Sequence, residues 1–235
     1  MTYIIFTYKK DECPVQVCVD RIRQLDDDAK IIIIDDAKNC LRRIPKNIDF
    51  YEKSTFERNR NLNGMECVRG ELKSFIKYGR KYNSEGIVKV DSDAFLNSVD
   101  IIRDNIDLFD FIGFEGSVPL ITCGLVYYIS NRASQYVLDT TEKDIFNLNN
   151  AYPEDQTISK LIAWSTLDRK IYYRGKRDIF VGAYANDEKW QKYINVKVAI
   201  HFGNTRRKDP TPNNNIIATD MKNYNNWILS HSKTK

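Results

Sequence analysis

The sequence predicts an α/β fold, a mostly parallel twisted sheet flanked by helices in a single domain, on three observations. Apolar, β-rich runs alternate with amphipathic helical stretches from Tyr3 to Val90. The best of those runs are apolar on both faces, as strands buried inside a parallel sheet are. The length, 235 residues, suits one domain with an elaborated C-terminal part.

Taken in order, Tyr3 to Tyr8 is β-branched and aromatic and reads as a buried first strand. Asp11-Glu12-Cys13-Pro14 opens a helix, with a capping-type acid and a proline in the first turn. Val15, Cys18, Val19, Ile22 and Leu25 then mark its apolar face. Asp26-Asp27-Asp28 forms a turn, and Lys30 to Asp35, with four consecutive isoleucines, is the second strand. Ile48 to Tyr51 is a third. A long helix is predicted from Gly64 to Lys81, with Met65, Val68, Leu72, Phe75, Ile76 and Gly79 on one side. Glu66, Arg69, Glu71, Lys73, Lys77 and Arg80 mostly line the other. Gly86 to Val90 is the fourth strand, ending in Asp91-Ser92-Asp93.

The second half is organised differently. Phe109 to Phe114 and Leu120 to Ile129 read as strands, followed by a short helix at Ala133 to Leu138. A further helix starts at Pro153-Glu154-Asp155 and runs through Ile158, Leu161, Ile162 and Trp164. Ile171 to Tyr173 and Val196 to Phe202 are strand candidates, and Asp209 to Asn215 is a loop. Met221, Tyr224, Trp227 and Ile228 place a closing helix at the end. There is no internal repeat.

Composition narrows the class. Hydrophobic residues at 42% and charged residues at 29% describe an ordinary globular protein. The excess of Lys and Arg (36) over Asp and Glu (32) is too small to mark a polyanion-binding surface. Cys13, Cys18, Cys40, Cys67 and Cys123 are odd in number and contain no CxxC pair, so they read as reduced thiols. No apolar run approaches the roughly 20 residues that span a bilayer. The first strand begins too early to leave room for a signal peptide. A cytoplasmic protein without a membrane span is expected.

The chemistry lies at the carboxyl ends of the strands, where open α/β sheets bind ligands. Thr7, Tyr8 and Lys9 follow the first strand, Asp35 and Asp36 the second, Asp91 and Asp93 the fourth. A nucleotide laid across these ends meets hydroxyl, amide and carboxylate groups. If the chain is extended at Asp91-Ser92-Asp93, residues two apart project the same way and both carboxylates face one point. Two hard oxygen donors beside a diphosphate suit Mg²⁺ or Mn²⁺. The same D-x-D spacing occurs at Asp26 and Asp28, within a turn where solvated charge explains it. Only Asp91 and Asp93 lie between an apolar strand and the apolar Ala94-Phe95-Leu96, where unpaired carboxylates are costly. Lys89, inside an apolar strand, needs an anionic partner, either a diphosphate or a carboxylate.

Val88-Lys89-Val90-Asp91-Ser92-Asp93-Ala94-Phe95-Leu96-Asn97 resembles the metal-binding strand end of GT-A glycosyltransferases. Thr122 to Ser130, led by Gly124, resembles that family's strand beside donor sugar and acceptor. Pro153-Glu154-Asp155-Gln156 resembles its Glu-Asp motif, and Ala199-Ile200-His201-Phe202 its C-terminal metal-ligand histidine. Four motifs in the family's order cover residues 1 to 204. The resemblance implies a GT-A-like domain whose first half (about 1–97) binds a nucleotide-sugar and whose second (about 98–235) binds the acceptor.

It further implies a metal-dependent, inverting transferase that moves a sugar from a nucleotide-diphosphate sugar, UDP-sugar by family habit, to an acceptor hydroxyl. Mn²⁺ or Mg²⁺ would be held by Asp91, Asp93 and His201. The donor would meet Thr7, Tyr8, Lys9, Asp35, Asp36, Lys89, Ser92 and Gly124. Asp155 would be the base, with Glu154 as second candidate. A helix N-terminus lowers the basicity of a carboxylate, so partial burial must oppose it if Asp155 is to work near neutral pH. Asp155 also reads as a dipole-stabilised helix residue, and His201 as a core histidine. Arg69 and Lys73 fit a solvated helix face; Arg206-Arg207-Lys208 fits either a solvated run or a clamp for phosphate or nucleic acid. The acceptor is a glycan or, as with some phage enzymes, a hydroxymethylated DNA base. Two other classes compete: a sugar-nucleotidyltransferase, for which a Gly-rich phosphate loop after the first strand is missing, and a non-catalytic nucleotide-sugar-binding module.

Overall fold

The computed structural model describes residues 1–56, 62, 64–115, 120–142, 153–173, 178–181, 190–191, 193–202 and 214–231. Strands β1 (Thr2–Thr7), β2 (Lys30–Asp35) and β3 (Phe50–Lys53) form one flank of a seven-stranded sheet. β4 (Gly86–Asp91), β6 (Phe111–Phe114), β7 (Val126–Ser130) and β8 (Lys170–Tyr173) complete it in the order β3-β2-β1-β4-β7-β6-β8. The first four are mutually parallel, β7 runs antiparallel to both β4 and β6, and β8 is parallel to β6. The sheet is mostly parallel, as the alternation of strands and helices predicts.

Helices cover both faces. The consecutive isoleucines of β2 divide between them: Ile31 and Ile33 join Tyr3, Ile5, Val15, Cys18 and Ile22 in one core. Ile32 and Ile34 join Ile4, Phe6, Leu72, Phe75, Tyr127 and Ile158 in the other. Alternate residues of a strand point to opposite faces, so only a strand covered on both sides is apolar throughout. Helix α1 (Pro14–Leu25) lies on the first face; α2 (Met65–Lys81), α4 (Asn131–Glu142) and α5 (Glu154–Ala163) lie on the second. A short α3 (Asp100–Arg103) and a closing α6 (Asn214–His231) are also present, and Trp190, Gln191 and Tyr193 are helical.

Several boundaries move. The segment expected as one strand from Leu120 to Ile129 becomes a bridge between Glu115 and Thr122, a turn at Gly124-Leu125, and then β7. Leu120 has φ of 57°, outside the extended region. The helix expected at Ala133 to Leu138 extends a half turn or more at each end. Glu71, placed on the polar side of α2, is fully buried. Its spacing explains this, since it lies three residues after Val68 and four before Phe75, one helical turn from each.

In a second sheet, β5 (Ala94–Leu96), β10 (Ala199–His201) and β9 (Ile179–Val181), β10 falls within the strand expected at Val196 to Phe202, whereas β5 and β9 are too short to carry a measurable periodicity. β10 pairs antiparallel with β5, with His201 opposite Ala94. All five cysteines are free thiols; Cys18 and Cys67 are buried and the others partly so. No helix among the described residues is long and apolar enough to cross a membrane.

Candidate active site and metal centre

Parallel pairing aligns the carboxyl ends of β2, β1 and β4. Thr7 is paired with Asp35, and Phe6 with Asp91. The polar residues that follow these strands therefore share one edge of the sheet.

Asp91, Asp93 and His201 converge there. One ligand atom from each lies within 4.8 Å of the others, and His201 Nε2 is 3.0 Å from Asp93 Oδ1. The extended geometry expected for Asp91-Ser92-Asp93 does not occur: Ser92 and Asp93 form the turn between β4 and β5. The turn brings the carboxylates together, and β5–β10 pairing brings the histidine to them. Asp93 and His201 are almost completely buried, as is Ser92, while Asp91 is partly exposed. Two carboxylates and an imidazole in so small a volume fit a divalent ion of the Mn²⁺ type.

Lys89 lies directly behind this cluster. Its ammonium donates to Asp91 Oδ1 (2.7 Å) and to the Gly124 carbonyl (2.6 Å), and is ion-paired with Glu154 Oε1 at 2.8 Å. The Tyr127 ring lies 5.7 Å from it. Burial alone would discharge this lysine, but Asp91, Glu154 and Glu71 together outweigh it, raising its pKa. Of the two partners sequence offers Lys89, the structure shows carboxylates.

Glu154 and Asp155 open α5 and point to different tasks. Glu154 is buried against Lys89. Asp155 faces the turn before β7, where its Oδ2 accepts the Gly124 N–H at 2.7 Å and its Oδ1 the Gln156 N–H at 2.7 Å. A Cβ on residue 124 would meet Asp155 Oδ2 at 3.0 Å, so glycine permits this approach. Burial, and then the charge of Glu154, raises Asp155 to about 7 against the opposing pull of Lys89 and the two N–H groups. The burial that a working base needs at a helix N-terminus is therefore present. Cys123, beside Gly124, is pushed up to about 11 by burial.

At the other end of the edge, Asp35 and Asp36 shape a loop. Asp35 Oδ2 accepts from the Leu41 N–H (2.8 Å) and the Tyr51 hydroxyl (2.7 Å). Asp36 Oδ1 accepts from the N–H groups of Lys38 and Asn39. Burial raises the Asp35 carboxyl despite these donors. Thr7 Oγ1 and Asp35 Oδ1 are buried and have no hydrogen-bond partner among the described residues. Tyr8 is extended; Lys9 starts a short 3-10 turn, is exposed, and donates its backbone N–H to the Asn39 carbonyl.

Other candidates have partners of their own. Arg69 bonds to Thr141 of α4 and Lys73 reaches Glu142. His231 is exposed and stacks on Trp227. Arg206-Arg207-Lys208 lies outside the described residues. Sequence reasoning missed the roles of Glu71 and Asn97. The Asn97 amide donates to the carbonyls of Tyr193 (2.9 Å) and Val196 (2.7 Å), tying β5 to the segment that leads into β10.

No protein-family model matches the sequence, and no curated protein matches it. Solved structures do. A glycosyltransferase involved in the glycosylation of the major capsid of PBCV-1 superposes with a TM-score of 0.58 at 12% identity, covering 94% of this chain and 98% of that one. The galactosyltransferase LgtC, in complex with donor and acceptor sugar analogues, gives 0.53 at 12% identity over 95% and 96% of the two chains. An active-site glutamine-to-glutamate mutant of LgtC gives 0.52 at 13% identity, with 95% of each chain covered. Likeness over nearly the whole length of both chains, at identities this low, is a statement about fold. With its mostly parallel sheet, its helices on both faces and an Asp-Asp-His cluster at the strand ends, the chain has the GT-A fold of these glycosyltransferases.

Proposed function

We propose that this protein is a metal-dependent, inverting glycosyltransferase that moves a sugar from a nucleotide-diphosphate sugar, a UDP-sugar, to an acceptor hydroxyl. The observation that carries the proposal is the convergence of Asp91, Asp93 and His201 at the strand ends, linked by three hydrogen bonds through Lys89 and Gly124 to Asp155, an acid of raised pKa. Thr7 and Asp35 offer unpartnered, buried oxygens to the nucleoside, and the loop held by Asp36 bounds that end. Asp91, Asp93 and His201 would hold Mn²⁺ or Mg²⁺, the imidazole favouring Mn²⁺. Bound there, the ion supplies Lewis-acid neutralisation of charge on the departing diphosphate.

Asp155 would take the proton of the acceptor hydroxyl as its oxygen attacks the anomeric carbon, and a single base acting on the acceptor leads to inversion. Gly124 and Gln156 hold that carboxylate in place through their N–H groups. A glycan is the favoured acceptor: one structural neighbour is described as acting in capsid glycosylation and another is bound to an acceptor sugar analogue.

The test is a thermal-shift screen of nucleotide sugars with and without Mn²⁺. A ligand at about 100 times its Kd adds about 2.7 kcal/mol, which raises the Tm of a chain this size by roughly 5–10 °C. The shift should need Mn²⁺, vanish in Asp93→Ala, and identify the donor. Turnover should then release nucleoside diphosphate; release of pyrophosphate would make the protein a nucleotidyltransferase, and binding without turnover a non-catalytic module. Acceptor affinity that collapses with salt would replace the glycan by DNA.

A further inference from the structure

We infer that Lys89 is a positioning residue that fixes the metal ligand Asp91 and the α5 carboxylate pair in one geometry, and that it never touches the donor. The inference rests on the metal-dependent reading above. Its ammonium is enclosed by acceptors from three separate elements: Asp91 at the end of β4, the Gly124 carbonyl in the turn before β7, and Glu154 at the start of α5. Two of the lysine's three N–H donors go to Asp91 and the Gly124 carbonyl, and Glu154 closes the third side as an ion pair at 2.8 Å. The side chain is 2% exposed, so no diphosphate reaches it.

The arrangement closes a ring. Lys89 holds the Gly124 carbonyl, the Gly124 N–H holds Asp155, and Asp155 is covalently next to Glu154, which returns to Lys89. Gly124 is thereby held through both its carbonyl and its N–H. Asp91 branches from the same ammonium. With one oxygen committed to Lys89, Asp91 is left to present its other oxygen to the ion. Groups that orient metal ligands in this way typically control affinity by about 10–100-fold. Glu71 contributes a further buried negative charge to the same interior.

Charge and orientation are separable. Lys89→Met alone strands buried carboxylates and adds net negative charge near the ion, which by itself would attract metal. The double variant Lys89→Met/Glu154→Gln removes one charge of each sign and leaves the net charge unchanged. Glu154→Gln alone keeps the Lys89–Asp91 contact. Mn²⁺ affinity is measured by electron paramagnetic resonance on the free ion, without donor or turnover, and folding by circular dichroism.

The double variant should bind Mn²⁺ about 10-fold more weakly than wild type while folded, and Glu154→Gln should stay within about 3-fold of wild type. A folded double variant with wild-type Mn²⁺ affinity overturns the assignment, and so does a loss in Glu154→Gln as large as in the double. Should the double fail to fold, Lys89→Met alone decides the point: its added negative charge favours the ion, so weaker Mn²⁺ binding supports the assignment and affinity equal to or above wild type overturns it. Asp93→Ala separates the two readings: if wild type binds Mn²⁺ and Asp93→Ala does not, an unaffected double variant sinks the role of Lys89 alone. If wild type shows no saturable Mn²⁺ binding, the metal reading falls and takes this one with it.

Discussion

At the residue scale the decisive group is Asp155, because its environment sets both its role and a measurable pH dependence. A carboxylate at a helix N-terminus is ordinarily more acidic than usual. Here burial and Glu154 reverse that, raising it to about 7. The base form exists only above that value, so kcat/KM should rise with pH through an acid limb near 7 and flatten above it. Asp155→Asn should bind donor and Mn²⁺ as wild type does and lose about 100-fold or more in kcat. An acid limb near pH 4 in wild type, or unchanged kcat in the variant, would move the base elsewhere. The position of Asp155 was legible because a Pro-Glu-Asp run opens a helix in a recognisable way. Its raised pKa was not, since that depends first on burial, which only packing decides. Likewise the sequence offers Lys89 two kinds of partner, and only packing selects between them.

At the element scale, the strands that were read correctly are those with a strong pattern. The isoleucine run of β2 is found at Lys30–Asp35, and the long helix α2 at Met65–Lys81. What escaped were elements whose existence is decided by their neighbours: β5 and β9, each three residues long, and β7, whose start is delayed by the turn at Gly124. The element that positions the site is β4, and its start is tightly fitted. A Cβ at Gly86 would overlap the Ile129 carbonyl oxygen and lie 2.6 Å from Ser130 Cα, both backbone atoms of the β7–α4 junction. Backbone there cannot swing aside as a side chain would. Gly86→Ala should therefore cost about 1–3 kcal/mol from overpacking, exceeding the few tenths to 1 kcal/mol gained by stiffening the unfolded chain. Thermal unfolding should show a Tm lower by several degrees. A Tm equal to wild type would mean that β4 and β7 are less rigidly joined than their register implies.

At the scale of the whole molecule, the site depends on residues far apart in sequence being locked together. Asp91 and Asp93 flank the β4–β5 turn and His201 lies more than 100 residues later, so the Asp-Asp-His cluster exists only while β10 stays on β5. Sequence order supplied both pieces, but the sheet that joins them carries too short a pattern to be read. Asn97 is the fastening. Its side chain donates to the Tyr193 and Val196 carbonyls, accepts from the Tyr224 hydroxyl of α6 at 3.3 Å, and its backbone N–H bonds to the Val198 carbonyl at 2.7 Å. Asn97→Ala removes the three side-chain bonds and leaves the carbonyls of Tyr193 and Val196 without that donor. At about 1 kcal/mol for each bond, stability to urea should fall by about 3 kcal/mol. Because the loosened segment carries His201, Mn²⁺ affinity should fall as well, while UDP binding without metal, which uses the β1–β2 end of the edge, stays unchanged. Equal losses in both affinities would show general unfolding in place of an uncoupled β10. Unchanged Mn²⁺ affinity in a clearly destabilised protein would show that His201 holds its place, or lies idle, independently of the Asn97 tie.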